Sequence, residues 1–507
     1  MHPYHWAKVS PERLAVIMAN SGQCITYREI DAASNKVAHL LRDLGLKRGD
    51  GIALLMQNNI HFLEICWGAQ RSGLYFTPIS WRSKHDELVY ILRNSGARTL
   101  FAGEQYAALA CKAAQEAGVE QVFVLSDDPC EGLSYHRAIA NLPDDPIADE
   151  SPGRDMLYSS GTTGRPKGVK IALADSDLTT IQPAMAWLTS RYGFDEKTVN
   201  LTPAPLYHAG PLRYSMCIGH TGGTNIIMEK FDAEQALQLI EKFRVTHTEM
   251  VPTMFVRLMK LPETVRAKYD LSSLKVMVHG TGPCAPDIKR AMIEWLGPIL
   301  EEQYGGTEGN GLCAIDSHEW LDRPGSVGRA VIGKIHIIGN DGSELPVGRE
   351  GLVYFEGGPR FEYHDEPVKT SEAYTSHGWS TLGDIGYVDA DGYLYLTDRQ
   401  SDMIISGGMN IYPREVENVL INHDKVMDVA VFGVPHPEFV EAVKAVVQLV
   451  DDVRASTDLE KELLEYCRER ISTIKCPRSI DFADDLPRHE TGKIYKRLLK
   501  ARYTANT

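Results

Sequence analysis

Apolar residues recur at Ile30, Ala33, Val37, Leu40 and Leu41, in a run that opens at Thr26-Tyr27-Arg28-Glu29 and continues through Leu44. That spacing puts them on one face of a helix. Gly45 stops the run, as glycine does at a left-handed cap. Gly49-Asp50-Gly51 reads as a turn, and Ile52 to Met56 as a short apolar strand. Asn58 to Gly73 is expected as helix, Leu74 to Pro78 as strand and Lys84 to Asn94 as helix. Strands that alternate with helices predict a largely parallel sheet covered on both faces. No short repeat and no low-complexity tract interrupts this.

Asn141 to Arg154 is rich in Pro, Asp and Gly and is expected to be a connecting loop. Asp155 to Tyr158 follows as a short strand. A second α/β stretch then has Val199 to Thr202 as strand, Asp232 to Phe243 as amphipathic helix and Leu274 to Val278 as strand. From Pro324 the rhythm changes to short alternating strands: Val331 to Ile338, Gly351 to Phe355 and Gly392 to Leu396. That pattern predicts antiparallel β structure. A break falls near Asp398-Arg399-Gln400-Ser401. Beyond it, Pro413 to Asn422 and Leu459 to Ile471 read as helices, and Val426 to Val434 and Val443 to Val450 as strands. This last segment has its own small α+β pattern, as a separate domain would.

Composition changes the picture in two ways. With 507 residues the chain is too long for one core, so at least two domains are expected. Lys and Arg number 53 against 68 Asp and Glu, a net charge of −15. Nucleic acid is thereby disfavoured as a partner, because phosphate binding needs a basic face. The remaining figures, 43% hydrophobic and 24% charged residues, are those of an ordinary globular protein. The start of the chain lacks the apolar run of a signal peptide, and no stretch reaches the roughly 18 apolar residues of a membrane span. The 9 cysteines are scattered without a Cys-x-x-Cys pair. That suits a reducing compartment better than a disulfide framework or a zinc site, and points to the cytoplasm. A peripheral membrane contact and a homodimer both stay open.

The densest chemistry lies in Ser159-Ser160-Gly161-Thr162-Thr163-Gly164-Arg165-Pro166-Lys167-Gly168. Glycines let the backbone approach a ligand closely, and successive N–H groups in such a loop form an anion nest. The hydroxyls add donors and Lys167 adds a mobile cation, which together suit a polyphosphate. The common nucleotide P-loop is different, with four residues between its glycines and Ser or Thr after the lysine. Here two residues separate Gly161 from Gly164, and Gly168 follows Lys167. A Gly/Ser/Thr cluster also describes an ordinary surface loop.

This stretch resembles the phosphate loop of the adenylate-forming superfamily, which includes acyl-CoA synthetases, nonribosomal-peptide adenylation domains and beetle luciferase. Further matching segments run from about Thr26 to Lys493, so the resemblance covers nearly the whole chain. The chain looks most like AMP-forming fatty-acid or aryl-acid CoA ligases. The resemblance implies an α/β fold: a large N-terminal domain of two parallel α/β sheets plus a β subdomain over 1–399, a hinge at 400–401 centred on Ser401, and a small mobile α+β domain over 402–507. ATP, Mg²⁺ and coenzyme A are the implied cofactors, and a small-molecule carboxylic acid is the implied partner.

Tyr304-Gly305-Gly306-Thr307-Glu308 matches the superfamily's Tyr-Gly-x-Thr-Glu. A carboxylate beside a triphosphate needs a cation between them, so Glu308 is expected to hold Mg²⁺ together with Thr162. Thr307 is expected to donate to the α-phosphate, and Gln303, Tyr304 and Gly305 to face the nucleotide with Gly280, Thr281 and Gly282. Asp384 matches the family aspartate that accepts the ribose hydroxyls, and Arg399 the arginine that reaches the same sugar. The chain departs from the family at Leu382, where Thr is usual. Lys493, in Pro487-Arg488-His489-Glu490-Thr491-Gly492-Lys493, matches the lysine that bridges carboxylate and α-phosphate. Ser406, Gly407 and Gly408 resemble the loop along the CoA thiol tunnel. Ser401 stands where the family hinge usually has Asp or Lys, and Lys170-Ile-Ala-Leu-Ala174 lacks a histidine common after the phosphate loop.

His208, in Leu206-Tyr207-His208-Ala209-Gly210, matches the gate to the acyl tunnel. Tyr207, His208, Met250, Thr281, Gly282 and Ile315 are the matching candidates for the acyl pocket. They offer no fixed cation or acid, so a neutral apolar tail is expected. Medium- or long-chain fatty acids come first, with aryl, alicyclic and steroid side-chain acids open. Three other readings remain: an adenylation enzyme that loads a carrier protein, a luciferase-like oxidative enzyme and a non-catalytic nucleotide sensor. Lys167, Glu308 and Lys493, whose loss would mark the sensor, are all present.

Overall fold

A computed structural model describes residues 2–159, 166–181, 183–406, 409–488 and 494–504. The chain packs as two compact units, one of residues 1–249, 269–277 and 360–371, the other of 250–268, 278–359 and 372–507.

In the first unit, Gly51–Leu55 lies at the heart of a parallel sheet of six strands. It pairs with Tyr75–Ile79 on one side and Ala97–Gly103 on the other. All five of its residues are buried, as expected of a parallel strand covered on both faces. The first predicted helix is Tyr27–Asp43. Thr26 and Glu29 form a reciprocal capping box at its start, and Ile30, Val37, Leu40 and Leu41 face the core. The next helix begins only at Phe62, four residues later than its apolar pattern suggested. Asn58 is instead spent on tertiary bonds: its amide donates to the carbonyls of Ala204 and Met228, and its oxygen accepts from the Leu206 N–H. A second set of strands in this unit runs Val199–Thr202, Thr224–Ile227 and Leu14–Met18, all parallel.

In the second unit seven strands pair antiparallel, from Leu300–Gly305 through Leu312–Asp316, Ser326–Ile332, Leu394–Arg399, Ser380–Val388 and Gly351–Glu356 to Lys334–Ile338. The expected strand over Val331 to Ile338 is in fact two. Gly333 divides them at φ +81, and a side chain there would come within 2.9 Å of the Glu356 carbonyl.

Past the turn at Gln400-Ser401, a smaller sheet forms from Met409–Ile411, Ile404–Ser406, Val440–Leu449 and Val426–His436, with Ser479–Phe482 parallel to Val440–Leu449. It has its own core of Ile404, Val416, Leu420, Val431, Val443, Leu463 and Ile480. Arg414 spans the turn, with its N–H on Asp398 Oδ2 at 3.1 Å and its guanidinium on the Leu396 carbonyl at 3.0 Å. No helix among the described residues is long and apolar enough to cross a membrane.

Candidate active site

Residues 160–165, the centre of the Gly/Ser/Thr stretch, lie outside the described residues, so Ser160, Gly161, Thr162, Thr163 and Gly164 carry no structural account. The base of that loop is an antiparallel ladder, with Lys167 opposite Ser159, Gly168 opposite Tyr158 and Val169 opposite Leu157. The strand expected at Asp155 to Tyr158 is therefore split: Arg154–Asp155 joins the parallel sheet, and Leu157–Ser159 turns away to form this ladder. Gly168 is needed for the close approach, since a Cβ there would fall 2.9 Å from Met156 Cε and 3.0 Å from the Tyr158 ring. Tyr158 is held by donating to Asn94 Oδ1 at 2.6 Å. On the other edge Val169 pairs with Tyr363, and the Lys167 ammonium lies 4.5 Å from the centre of the Tyr363 ring.

Three predicted nucleotide contacts come together in the second unit. Tyr304 donates its hydroxyl to Asp384 Oδ2 at 2.7 Å, and Arg399 donates through Nε to Asp384 Oδ1 at 3.0 Å. Asp384 and Arg399 face one another in the ladder, which fixes their approach. Gly383 precedes them at φ +80 and accepts the Gln400 N–H. Burial lifts the Tyr304 hydroxyl well above its ordinary range, and the Asp384 charge lifts it further, so it stays a donor. Each carboxylate oxygen accepts more than one hydrogen bond, so Asp384 keeps capacity for two ligand hydroxyls. The link from Tyr304 to Asp384 was not anticipated from the sequence, which placed Tyr304 only beside the nucleotide.

Glu308 is 7% exposed. Its Oε2 lies 2.6 Å from where a Cβ on Gly306 would stand, and a Leu382 methyl lies 2.7 Å from the same point. Gly306 thus makes room for both the carboxylate and the Leu382 side chain. Among the described residues no group of three or more His, Cys, Asp or Glu could hold a metal. A buried carboxylate suits a Mg²⁺ that takes its remaining oxygens from phosphates and water. Gly280 packs against Gln303, whose carbonyl would lie 2.7 Å from a Cβ there. Thr281 follows at φ +72, a costly conformation for a β-branched residue and one found where function over-determines the backbone. Gly282 has open space around it.

The chain matches a model of the AMP-binding enzyme over residues 4–359, and one of the AMP-binding enzyme C-terminal domain over residues 415–493. It belongs to the AMP-binding enzyme family. A long-chain-fatty-acid–CoA ligase of Mycobacterium tuberculosis is 32% identical over 98% of this chain and 97% of that protein. A feruloyl-CoA synthase of an Amycolatopsis species is 32% identical over 99% and 98%. The crystal structure of ATP-bound MatB from Rhodopseudomonas palustris superposes with a TM-score of 0.82 at 27% identity, covering 99% of both chains. This family member is accordingly an acid–thiol ligase of the AMP-forming type, with ATP, Mg²⁺ and coenzyme A as its small-molecule requirements.

The other predicted site residues of this AMP-binding enzyme are distributed as follows. His208 is buried at the start of the Ala209–Thr221 helix, where its carbonyl accepts the Leu212 N–H and its ring lies 4.1 Å from that of Tyr207. Met250 and Ile315 are fully buried. Ser401 is exposed, with its hydroxyl on Asp402 at 3.4 Å. Ser406 is buried and pairs with Met409, while Gly407 and Gly408 lie outside the described residues. Lys493 also lies outside them, but the base of its loop is pinned. Arg488 bridges to Ile494 and forms an ion pair with Asp428, and Tyr495 donates to the Pro487 carbonyl at 2.7 Å.

Two further features escaped the sequence reading. The first is a buried ion pair behind the Gln303-Tyr304 strand: Lys289, 0% exposed, contacts Glu302 at 2.6 Å, with His279 Nε2 at 3.6 Å from the same oxygen. Burial works against the charge on Glu302, yet the Lys289 ammonium holds its carboxyl below the usual range. Burial pushes the His279 ring down to about 3, so it is neutral. The pair ties the Pro286–Leu296 helix to the strand that carries Tyr304. Lys289→Met leaves Glu302 buried and unpaired and is expected to cost about 3–5 kcal/mol of stability. Adding Glu302→Leu is expected to return most of it, and denaturant unfolding of the single and double variants reads the difference.

The second is Glu249, next to Met250 in the His247–Met250 strand. Burial lifts its carboxyl to about 8, with no charged partner contributing. An acid inside the run His247-Thr-Glu-Met-Val251 was the available signal.

Proposed function

We propose that this protein activates a carboxylic acid with a mainly apolar tail, a medium- or long-chain fatty acid skeleton being favoured, and transfers it to coenzyme A. The observation that carries this reading is the Tyr304–Asp384–Arg399 cluster, four residues along the chain from buried Glu308. It is a carboxylate suited to a ribose and held in place by two donors, with a carboxylate suited to magnesium in the turn that follows the Tyr304 strand.

In the first half-reaction the acid's carboxylate attacks the α-phosphorus of MgATP, an acyl–phosphate bond forms and pyrophosphate leaves. Asp384 holds the ribose and Arg399 orients Asp384. Thr307 donates to the α-phosphate, Glu308 takes the magnesium that accompanies ATP, and the stretch around Thr162 and Lys167 grips the departing phosphates. Lys493 stands between the two anions that must meet. In the second half-reaction the CoA thiolate attacks the acyl carbon and AMP leaves. The residues after Ser401 rotate between the two steps, which withdraws Lys493 and presents the loop at Ser406, Gly407 and Gly408. The exposure of Ser401 and the separate core that follows it support a hinge there. His208 and Tyr207 gate the acyl pocket.

A panel of carboxylic acids in a pyrophosphate-release assay, with and without CoA, tests this reading. Pyrophosphate release that needs an acid, with a CoA thioester formed on adding CoA, is the expected result. Release without any thioester, or transfer only to a carrier protein, would overturn it.

A further inference from the structure

Glu249 has a carboxyl that the mechanism above leaves unused. Its Oε1 lies against the backbone of Gly210, so closely that a Cβ on Gly210 would stand 2.1 Å from it. Gly210 is the second residue of the Ala209–Thr221 helix and lies two positions after His208. Its Oε2 is buried and meets no hydrogen-bonding group among the described residues. The residue as a whole nevertheless keeps a partly accessible edge. Tyr214, one turn further along the same helix, is close enough for the Glu249 charge to add to the lift that burial gives its hydroxyl, but that hydroxyl is already bonded to Tyr192.

A buried polar atom without a partner costs stability, and native chains rarely keep one without use. The helix has set aside a glycine to admit this carboxyl beside the residues that gate the acyl pocket. A hydrocarbon tail would leave the carboxyl unsatisfied. A tail with one oxygen would complete it: the protonated acid donates to that oxygen, and its carbonyl accepts if the oxygen is a hydroxyl. The lift of the acid to about 8 supports the neutral, donating form at neutral pH.

We propose that Glu249 determines substrate choice by hydrogen-bonding a hydroxyl or oxo group on the tail, so the acid is an oxygenated one on a mainly apolar skeleton. This rests on the ligase reading of the same site. A site built to bond a substrate oxygen rejects the analogue that lacks it far more strongly than an apolar pocket rejects an extra methylene.

The test compares acids in pairs of the same carbon skeleton, with and without a hydroxyl or oxo group at successive positions. It uses the full-length protein, its Glu249→Gln and Glu249→Leu variants, and pyrophosphate release as readout. The parent protein is expected to prefer one oxygenated acid by about 10²-fold or more in kcat/KM. Glu249→Leu should lose that preference with the KM for ATP unchanged, and Glu249→Gln, which keeps the size and one donor, should keep part of it. Three results overturn the proposal: no oxygenated acid preferred over its parent, a preference that survives in Glu249→Leu, or a preferred amine in place of the oxygen. If no acid at all supports pyrophosphate release, the ligase reading itself fails; if plain acids are adenylated with equal efficiency, only Glu249's role does.

Discussion

Lys493→Ala is expected to lower acyl-adenylate formation by about 10² or more while sparing thioester formation from synthetic acyl-adenylate. Two anions approach in the first step, and charge accumulates on the oxygens around phosphorus as the new bond forms. A compact ammonium between them stabilises that arrangement more than it stabilises the separated reactants, and only such a difference raises a rate. The second step has no pair of anions at the same place, because the thiolate meets an acyl carbon already activated by its bond to AMP. Pyrophosphate release measures the first step, and CoA thioester formed from supplied acyl-adenylate measures the second. Equal losses in both would count against a rotation about Ser401 and would place Lys493 in a fixed role. Arg488, whose ion pair with Asp428 pins the base of this loop, is a useful contrast. Its replacement should affect both steps through the loop's position, with no preference for the first.

Asp384→Ala carries the other large expected effect. The side chain is 9% exposed and holds donors from Tyr304 and Arg399 on its two oxygens. Hydrogen bonds to a charged partner contribute about 1.5–3 kcal/mol each, so loss of two to a ribose predicts a fall of about 10² to 10⁴ in kcat/KM for ATP. The KM for ATP should carry most of that fall, while the KM for the acid stays near its starting value. The same variant leaves the Tyr304 hydroxyl buried without its acceptor, at a cost of about 1–3 kcal/mol in stability. Asp384→Asn separates the two effects. It keeps an acceptor for Tyr304 but removes the charge that Arg399 faces, so stability should recover further than ATP use. Steady-state kinetics in ATP, together with thermal unfolding of both variants, reads this. An unchanged KM for ATP in Asp384→Ala would place the nucleotide elsewhere.

Leu382 bears on the same site. It stands where the superfamily usually has a threonine, and its methyl crowds the same Gly306 that makes room for the Glu308 carboxylate.

Part of the candidate site drew notice from the residues themselves: the glycine and hydroxyl pattern over 159–168 stands out by composition and spacing. The roles expected of Tyr304 to Glu308, Asp384 and Arg399 came from resemblance to the adenylate-forming superfamily, and that Asp384 and Arg399 face one another is a property of the ladder. Composition and spacing also mark Tyr27–Asp43, where a capping box and a helical apolar face agree, and Gly51–Leu55, whose unbroken apolar run marks a strand buried on both sides. Tertiary structure alone decided the rest. The helix at Phe62 starts late because Asn58 is drawn into bonds with backbone groups about 150 residues away in the chain, the Ala204 carbonyl and the Leu206 N–H. The Val331–Ile338 run breaks at Gly333 because a neighbouring strand's carbonyl leaves no room for a side chain. Tyr304 reaches Asp384, and Glu249 lies on Gly210, across separations of 80 and 39 residues, the second being 249 − 210. Spacing rules describe neighbours on one element, set by the pitch of a helix or the pleat of a strand. Contacts between elements depend on how those elements pack, and the partner of a buried polar group is fixed only there.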